Sequence, residues 1–191
     1  MGRVSRQQAD ENHKQILEAA SHLFRANGLK ETSVPQVMAA AGLTHGGFYG
    51  HFASKEALSA AACQSAFAWL DDYFKDIAAR HPGDPAAARA ELIDNYLSPD
   101  HRDHPGDGCP AISLGADVGR EPADSPVREA YRQGIEGILD ILRDDFAVAS
   151  RSQALASYST LVGALLLSRA TEGSPLSDEI LEVARKALLP R

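Results

Sequence analysis

The chain has 191 residues, 44% of them hydrophobic and 24% charged, with a formal net charge of −7, which suits one or two small domains with a buried core. No apolar run approaches the ~20 residues that cross a bilayer, and the N-terminal stretch lacks the apolar centre of a secretory signal. Two cysteines, Cys63 and Cys109, are too few for a disulfide framework and neither belongs to a CxxC pair, so a reducing cytoplasm is the expected compartment.

The negative total argues at face value against nucleic acid, but the charge is uneven. Residues 1–60 carry six Lys/Arg against five Asp/Glu, a balance of +1, which leaves −8 on the remainder. A near-neutral end joined to an acidic body suits a chain that contacts DNA at one end only.

The pattern is helical nearly throughout, rich in Ala, Leu, Glu, Arg and Gln and without alternating β-branched runs. A first helix is predicted over about 8–27, with Ile16, Ala20, Leu23 and Phe24 as its core stripe and Gly28 as its stop. Ser33-Val34-Pro35-Gln36 reads as a capping box opening a short helix to about Ala41, stopped at Gly42. A third short helix is expected from Thr44 to about Gly50. Ser54 caps a long helix to about Arg80, with Leu58, Ala62, Trp69, Tyr73 and Ile77 on its buried face. Asp84-Pro85 opens a helix to about Leu97, residues 98–108 read as loop, and a short helix follows Cys109. Ser125-Pro126 opens a helix to about Val148, and two last helices are predicted at about 151–171 and 177–189.

Two short helices joined through Gly42 and braced by a preceding helix form a helix-turn-helix over about residues 33–52. The second contains Gly46, Gly47 and Gly50, which together cost about 2–3 kcal/mol in helix propensity. Two reasons for them are open: tight crossing of neighbouring helices, or close approach of bare backbone to a duplex, where N–H groups and the helix dipole favour phosphate. Thr44 and His45 stand where such motifs face base edges. Tyr49, His51 and Lys55 are placed to bond phosphates, and Arg3 and Arg6 on the N-terminal arm to reach phosphates or a minor groove.

The run from Ile16 to Leu58, ILEAASHLFRANGLKETSVPQVMAAAGLTHGGFYGHFASKEAL, closely resembles the N-terminal domain of TetR-family regulators. The features that match are Gly28, Thr32-Ser33-Val34, Ala41-Gly42-Leu43, Gly46, Tyr49, His51-Phe52 and Ser54 to Leu58. The resemblance implies an all-α homodimer, with a DNA-binding domain at about 1–56 and an effector-binding and dimerisation domain at about 57–191. By position it implies DNA contacts from Thr44, Gly46, Tyr49, His51 and Lys55; Ser33 and Gly47 complete the candidate DNA-binding residues of this segment. His45 stands where relatives commonly carry Lys, and the second glycine, Gly47, is also a departure.

For dimerisation, the last two helices offer Tyr158, Leu161, Val162, Leu165, Leu166, Leu181 and Leu188, part of which must serve an intramolecular core. Trp69, Tyr73, Tyr96, Cys109, Ile112 and Tyr131 are the residues for an effector pocket, with ordinary core as the alternative. Cys109 lies near a predicted helix N-terminus, where a thiolate is stabilised. The stretch from it also resembles a branch of the family with electrophile-sensing cysteines; a buried, inert thiol is the other reading. Gly106 to Ala111 fits G-x-G-x-x-A but follows no strand. Asp100, His101, Asp103, His104, Asp107 and Cys109 could ligate a metal, but read more simply as a solvated loop. Nothing orients a base for a Cys–His hydrolase. The sequence therefore points to a non-enzymatic regulator without metal or cofactor. Its expected partners are double-stranded operator DNA, a small-molecule effector and a second copy of itself, with no membrane. The alternative is a thiol-based sensor or detoxifying protein using Cys109.

Overall fold

A computed structural model describes residues 5–189. Among them the regular elements are all helical, and no helix is long and apolar enough to cross a membrane.

Helix α1 (Arg6–Asn27) is capped by Ser5, whose Oγ accepts from Gln8 N–H at 3.1 Å. Ile16, Ala20 and Phe24 are its buried face, while Leu23 is only half-buried. Gly28 ends it at φ 90°, a conformation L side chains avoid, and its N–H returns to Phe24 O. Helix α2 (Val34–Ala40) has the predicted capping box: Ser33 Oγ accepts from Gln36 N–H, and Ser33 N–H donates to Gln36 Oε1 at 2.7 Å. Gly42, at φ 70°, turns the chain out of α2. The expected third helix is a 3₁₀ segment, His45–Gly50, preceded by an extended Thr44 that makes no capping bond. Its glycines lower α propensity, and a tighter, shorter turn results. Phe48 pins it to the interior, 6.0 Å from the Phe52 ring.

Helix α3 (Lys55–Arg80) begins at Ser54 as expected, but its buried face is rotated. Cys63, Ala66, Phe67, Leu70 and Phe74 join Leu58, Ala62 and Ile77 in the core, whereas Trp69 is 44% exposed and Tyr73 half-buried. The shift is explained by two-sided packing: α1 lies along one side of α3 and α7 along another. Helix α7 (Pro126–Asp144) crosses so closely that a Cβ on Gly134 would sit 2.2 Å from Phe67 Cγ. It stops four residues before the predicted end, because the chain turns at Ala147 (φ 49°) to bury Phe146 and Val148. Ser125 does not cap it through its side chain; the hydroxyl donates to Glu56 Oε1 at 3.3 Å.

Helix α4 (Pro85–Tyr96) leads into residues 98–108, which are not the predicted loop. They contain helix α5 (Pro99–Asp103), capped by Ser98, and a 3₁₀ turn, Pro105–Asp107, seated on α1. His101 organises this segment. Cys109 N–H donates to His101 Nε2 at 2.9 Å, so the ring proton is on Nδ1, which donates to Tyr96 O at 2.8 Å. Arg169 closes the outside, donating from Nε to Arg102 O at 3.0 Å and from Nη2 to His101 O at 2.7 Å. Helix α6 (Pro110–Val118) follows, and its Asp117 Oδ2 accepts from Leu29 N–H at 2.7 Å, just past the end of α1. Helices α8 (Arg151–Ala170) and α9 (Pro175–Leu188) form an antiparallel hairpin through Gly173.

Burial, opposed by the bond to the Tyr96 carbonyl and reinforced by the Arg169 charge, holds the His101 pKa down at about 4 from an ordinary 6.5. The unfolded chain therefore takes up a proton that the folded chain refuses between these values. Stability from this residue is complete above pH 6.5 and lost as the pH falls to about 4. The loss is on the order of 3 kcal/mol. Urea unfolding across that window should show the loss in the wild type and a flatter profile in His101→Asn; identical profiles would exclude His101 as its source.

Candidate functional site

One end of the molecule presents a small polar surface on a rigid base. Thr44, His45, Gly46, Gly47 and Tyr49 are all exposed, Tyr49 at 73%, while Phe48 between them is 1% exposed and anchors the turn. The glycines are not explained by internal packing. A Cβ on Gly46 or Gly50 would meet nothing within 4 Å, and one on Gly47 only Met38 Cε at 3.8 Å. Of the two reasons left open by the sequence, tight crossing of helices within the protomer thus finds no support.

The other predicted contact residues divide. Lys55 is half-buried at the start of α3, with Nζ 3.4 Å from Lys30 O, which brings the exposed Lys30 beside it. Lys30 escaped the sequence reading because the two lysines are 25 residues apart. His51 is half-buried, its ring centre 6.2 Å from that of His13. Ser33 Oγ is occupied by the capping box, also donating to Gln36 Oε1 at 2.7 Å, so its structural role is to start α2. Arg6 is exposed at the first turn of α1, and Arg3 lies outside the described residues.

Between α3, α4 and the 98–108 segment lies a cavity of about 440 Å³. Trp69, Tyr73, Tyr96 and Cys109 line it as expected. Trp69 and Tyr73, one turn apart on α3, stack at 5.8 Å with planes 5° from parallel. Ile112 and Tyr131 do not reach it. Ile112 points into the core, and Tyr131 packs edge-on to Phe67 and donates its hydroxyl to Ala111 O at 2.7 Å. In their place stand Leu70, Asn95, Ser98, Asp100, His101, His104 and Asp107. Most of these belong to the segment expected to be solvated loop. His101 has both ring nitrogens engaged with backbone, leaving no lone pair for a metal.

Cys109 is fully buried, with Sγ 3.2 Å from Tyr158 Oη, and Cys63 is also buried, its thiol pushed up to about 12 by desolvation. Neither thiol is exposed as a reactive cysteine is. A residue the sequence did not single out joins the cavity to helix α1. Arg25, on α1, donates from Nη1 to Gly108 O at 2.9 Å and lies 5.1 Å from the centre of the Trp69 ring.

The α8–α9 hairpin divides the residues expected at a dimer contact. Tyr158, Leu161, Leu165 and Leu181 are buried within the protomer, packed on its own core. Val162 and Leu188 are half-buried, and Leu166 is 51% exposed. The outward face carries Leu167, Leu176 and Val183, beside the small residues Gly163 and Ala187.

Comparison with known proteins agrees with this geometry. Residues 16–62 match the family described as bacterial regulatory proteins, tetR family. The HTH-type transcriptional regulator AcrR of Shigella flexneri is 31% identical over 97 residues, 51% of this chain and 45% of AcrR. The HTH-type transcriptional repressor KstR2 of Mycobacterium tuberculosis is 34% identical over 70 residues, 37% of this chain and 35% of KstR2. The chain therefore spans less than half the length of these curated relatives. A TetR transcriptional regulator from Chloroflexus aurantiacus superposes with a TM-score of 0.77 at 25% identity, over 96% of this chain and 94% of that one. The segment that holds the helix-turn-helix, residues 16–62, is thus a domain of the tetR family of bacterial regulatory proteins, and the fold is similar over nearly the whole chain to that of a TetR transcriptional regulator.

Proposed function

We propose that the protein is a homodimeric repressor that binds a palindromic operator through residues 33–52 and leaves it when a small molecule fills the cavity beside Trp69. The observation that carries this is the glycine-bearing turn: exposed backbone at Gly46, Gly47 and Gly50 that nothing inside the protomer requires. Backbone without side chains beside Thr44, His45 and Tyr49 suits close approach to a phosphate backbone, and Lys55 supplies a charge for counterion release. Residues 1–56 act as the reading domain and 57–191 as the effector and dimer domain. The cavity suits a small molecule because aromatic walls meet a few polar groups there. Release requires that this molecule prefer a state with mis-spaced reading heads.

The outward apolar face of α8 and α9 is the dimer contact in this reading. Leu166, Leu167, Leu176 and Val183 are each at least 47% exposed, and grouped apolar exposure of this kind marks association surfaces. Two copies joined there would offer two heads for half-sites about 34 Å apart. The electrophile-sensing alternative gains nothing from Cys109, which has no exposed surface.

An operator recovered by selection from random DNA permits three tests. Gly46→Ala should leave the melting temperature unchanged or raised, since its Cβ has free space, yet weaken operator binding. A variant that binds as well as wild type would remove close backbone approach from the mechanism. Lys55→Ala should weaken binding and lower the slope of log K against log salt by about one per protomer; an unchanged slope would show that Lys55 meets no phosphate. Finally, Leu167→Glu with Val183→Glu should convert a dimer to a folded monomer in sedimentation. Persistence of the dimer would place the interface elsewhere.

A further inference from the structure

Arg25 belongs to the reading head by its helix, but its distant partners all belong to the body. Its Nε donates within α1 to Ser21 O at 3.1 Å, while Nη1 crosses to Gly108 O and the guanidinium faces the Trp69 ring. The residue is 9% exposed and forms no ion pair with a described residue. A charge so placed is costly to bury, and an apolar side chain would fill the same space without that cost.

Both body partners belong to the cavity wall or adjoin it. Trp69 comes from α3, and Gly108 lies between the wall residues Asp107 and Cys109. The same segment touches α1 a second time, where Gly106 sits so close to His22 that a Cβ would lie 2.6 Å from its Nε2. The Asp117 bond to Leu29 also fastens α1, but Asp117 does not line the cavity. Arg25 is thus the point at which two separate walls of the cavity are held by one side chain of the reading head.

We propose that Arg25 is the positioning residue that couples occupancy of the cavity to the placement of α1. A molecule seated between Trp69 and the 104–109 wall shifts the two surfaces that the guanidinium joins, and α1 follows through the bond to Gly108. The inference rests on the reading of this cavity as the effector site. Planarity matters to it: a guanidinium can stack on an indole and donate to two carbonyls at once, which an ammonium cannot.

The test needs no identified effector, because a side chain can occupy the cavity instead. Asn95 lines it, and Asn95→Trp serves as a built-in occupant. On the selected operator, Asn95→Trp should weaken binding by about tenfold, within the usual range of allosteric coupling. In an Arg25→Met background the same change should weaken it by less than about twofold, the margin for independent sites. Equal weakening in both backgrounds would overturn the role of Arg25 and leave the effector cavity standing. No weakening in either would overturn the effector reading and this inference with it. Arg25→Lys, which keeps a cation and is the safer variant for folding, serves if Arg25→Met does not melt cooperatively. A second readout separates coupling from mere support. Trp69 is the chain's single tryptophan, and its emission should change when wild type binds operator but not when Arg25→Lys does. An unchanged operator response in Arg25→Lys would show that Arg25 is only structural.

Discussion

The end of α1 is where a small N-terminal head is fastened to the larger remainder of the protein, and that fastening is polar and directional. The head has few buried side chains of its own, chiefly Ile16, Ala20, Phe24, Val37, Met38, Phe48 and Phe52. So small a core is marginal alone, and it becomes stable by continuing into Leu58 and Ala62 of α3. Apolar contact sets no unique angle between head and body. The bond from Leu29 N–H to Asp117, the left-handed Gly28 and the bridge from Arg25 to Gly108 do, because hydrogen bonds lose strength steeply when misaligned.

The cavity wall uses the same means. Residues 98–108 hold little apolar surface, yet they are ordered by backbone bonds from His101, Arg169 and Arg25. Each of these side chains satisfies carbonyls that a short, irregular segment would otherwise leave unpaired. A wall built this way is specific in position but thin in hydrophobic support, a combination typical of segments that open locally at low cost. The rigid parts lie elsewhere, in the close crossing of α7 over Phe67 and the buried faces of α8 and α9.

Two surfaces gain nothing from the protomer that carries them. The turn at Gly46 and Gly47 sacrifices helix propensity with no internal contact in return, and the outer face of α8 and α9 leaves large apolar side chains in water. In the proposed function each meets an external partner, one polar and anionic, the other apolar. The proposed dimer face is built from other elements than the turn, so in that reading one copy could meet DNA and a second copy without competition.

The sequence alone determined the helical class, the caps at Ser33 and Ser54, the stops at Gly28 and Gly42, and the exposed turn, because these depend on neighbours within about four residues. It also identified four residues of the cavity wall, Trp69, Tyr73, Tyr96 and Cys109, by their chemistry. Tertiary structure decided the rest. Which face of α3 is buried depended on α1 and α7 both packing against it, so Trp69 turned outward where a one-sided stripe placed it inside. Tyr131 and Ile112 left the cavity, and Tyr158, Leu161, Leu165 and Leu181 went to the protomer's own core, because apolar character says that a side chain is covered but not by what. The order in residues 98–108 and the bridge made by Arg25 could not be read locally at all: Gly108 is 83 positions from Arg25, and only the folded chain brings that carbonyl within reach.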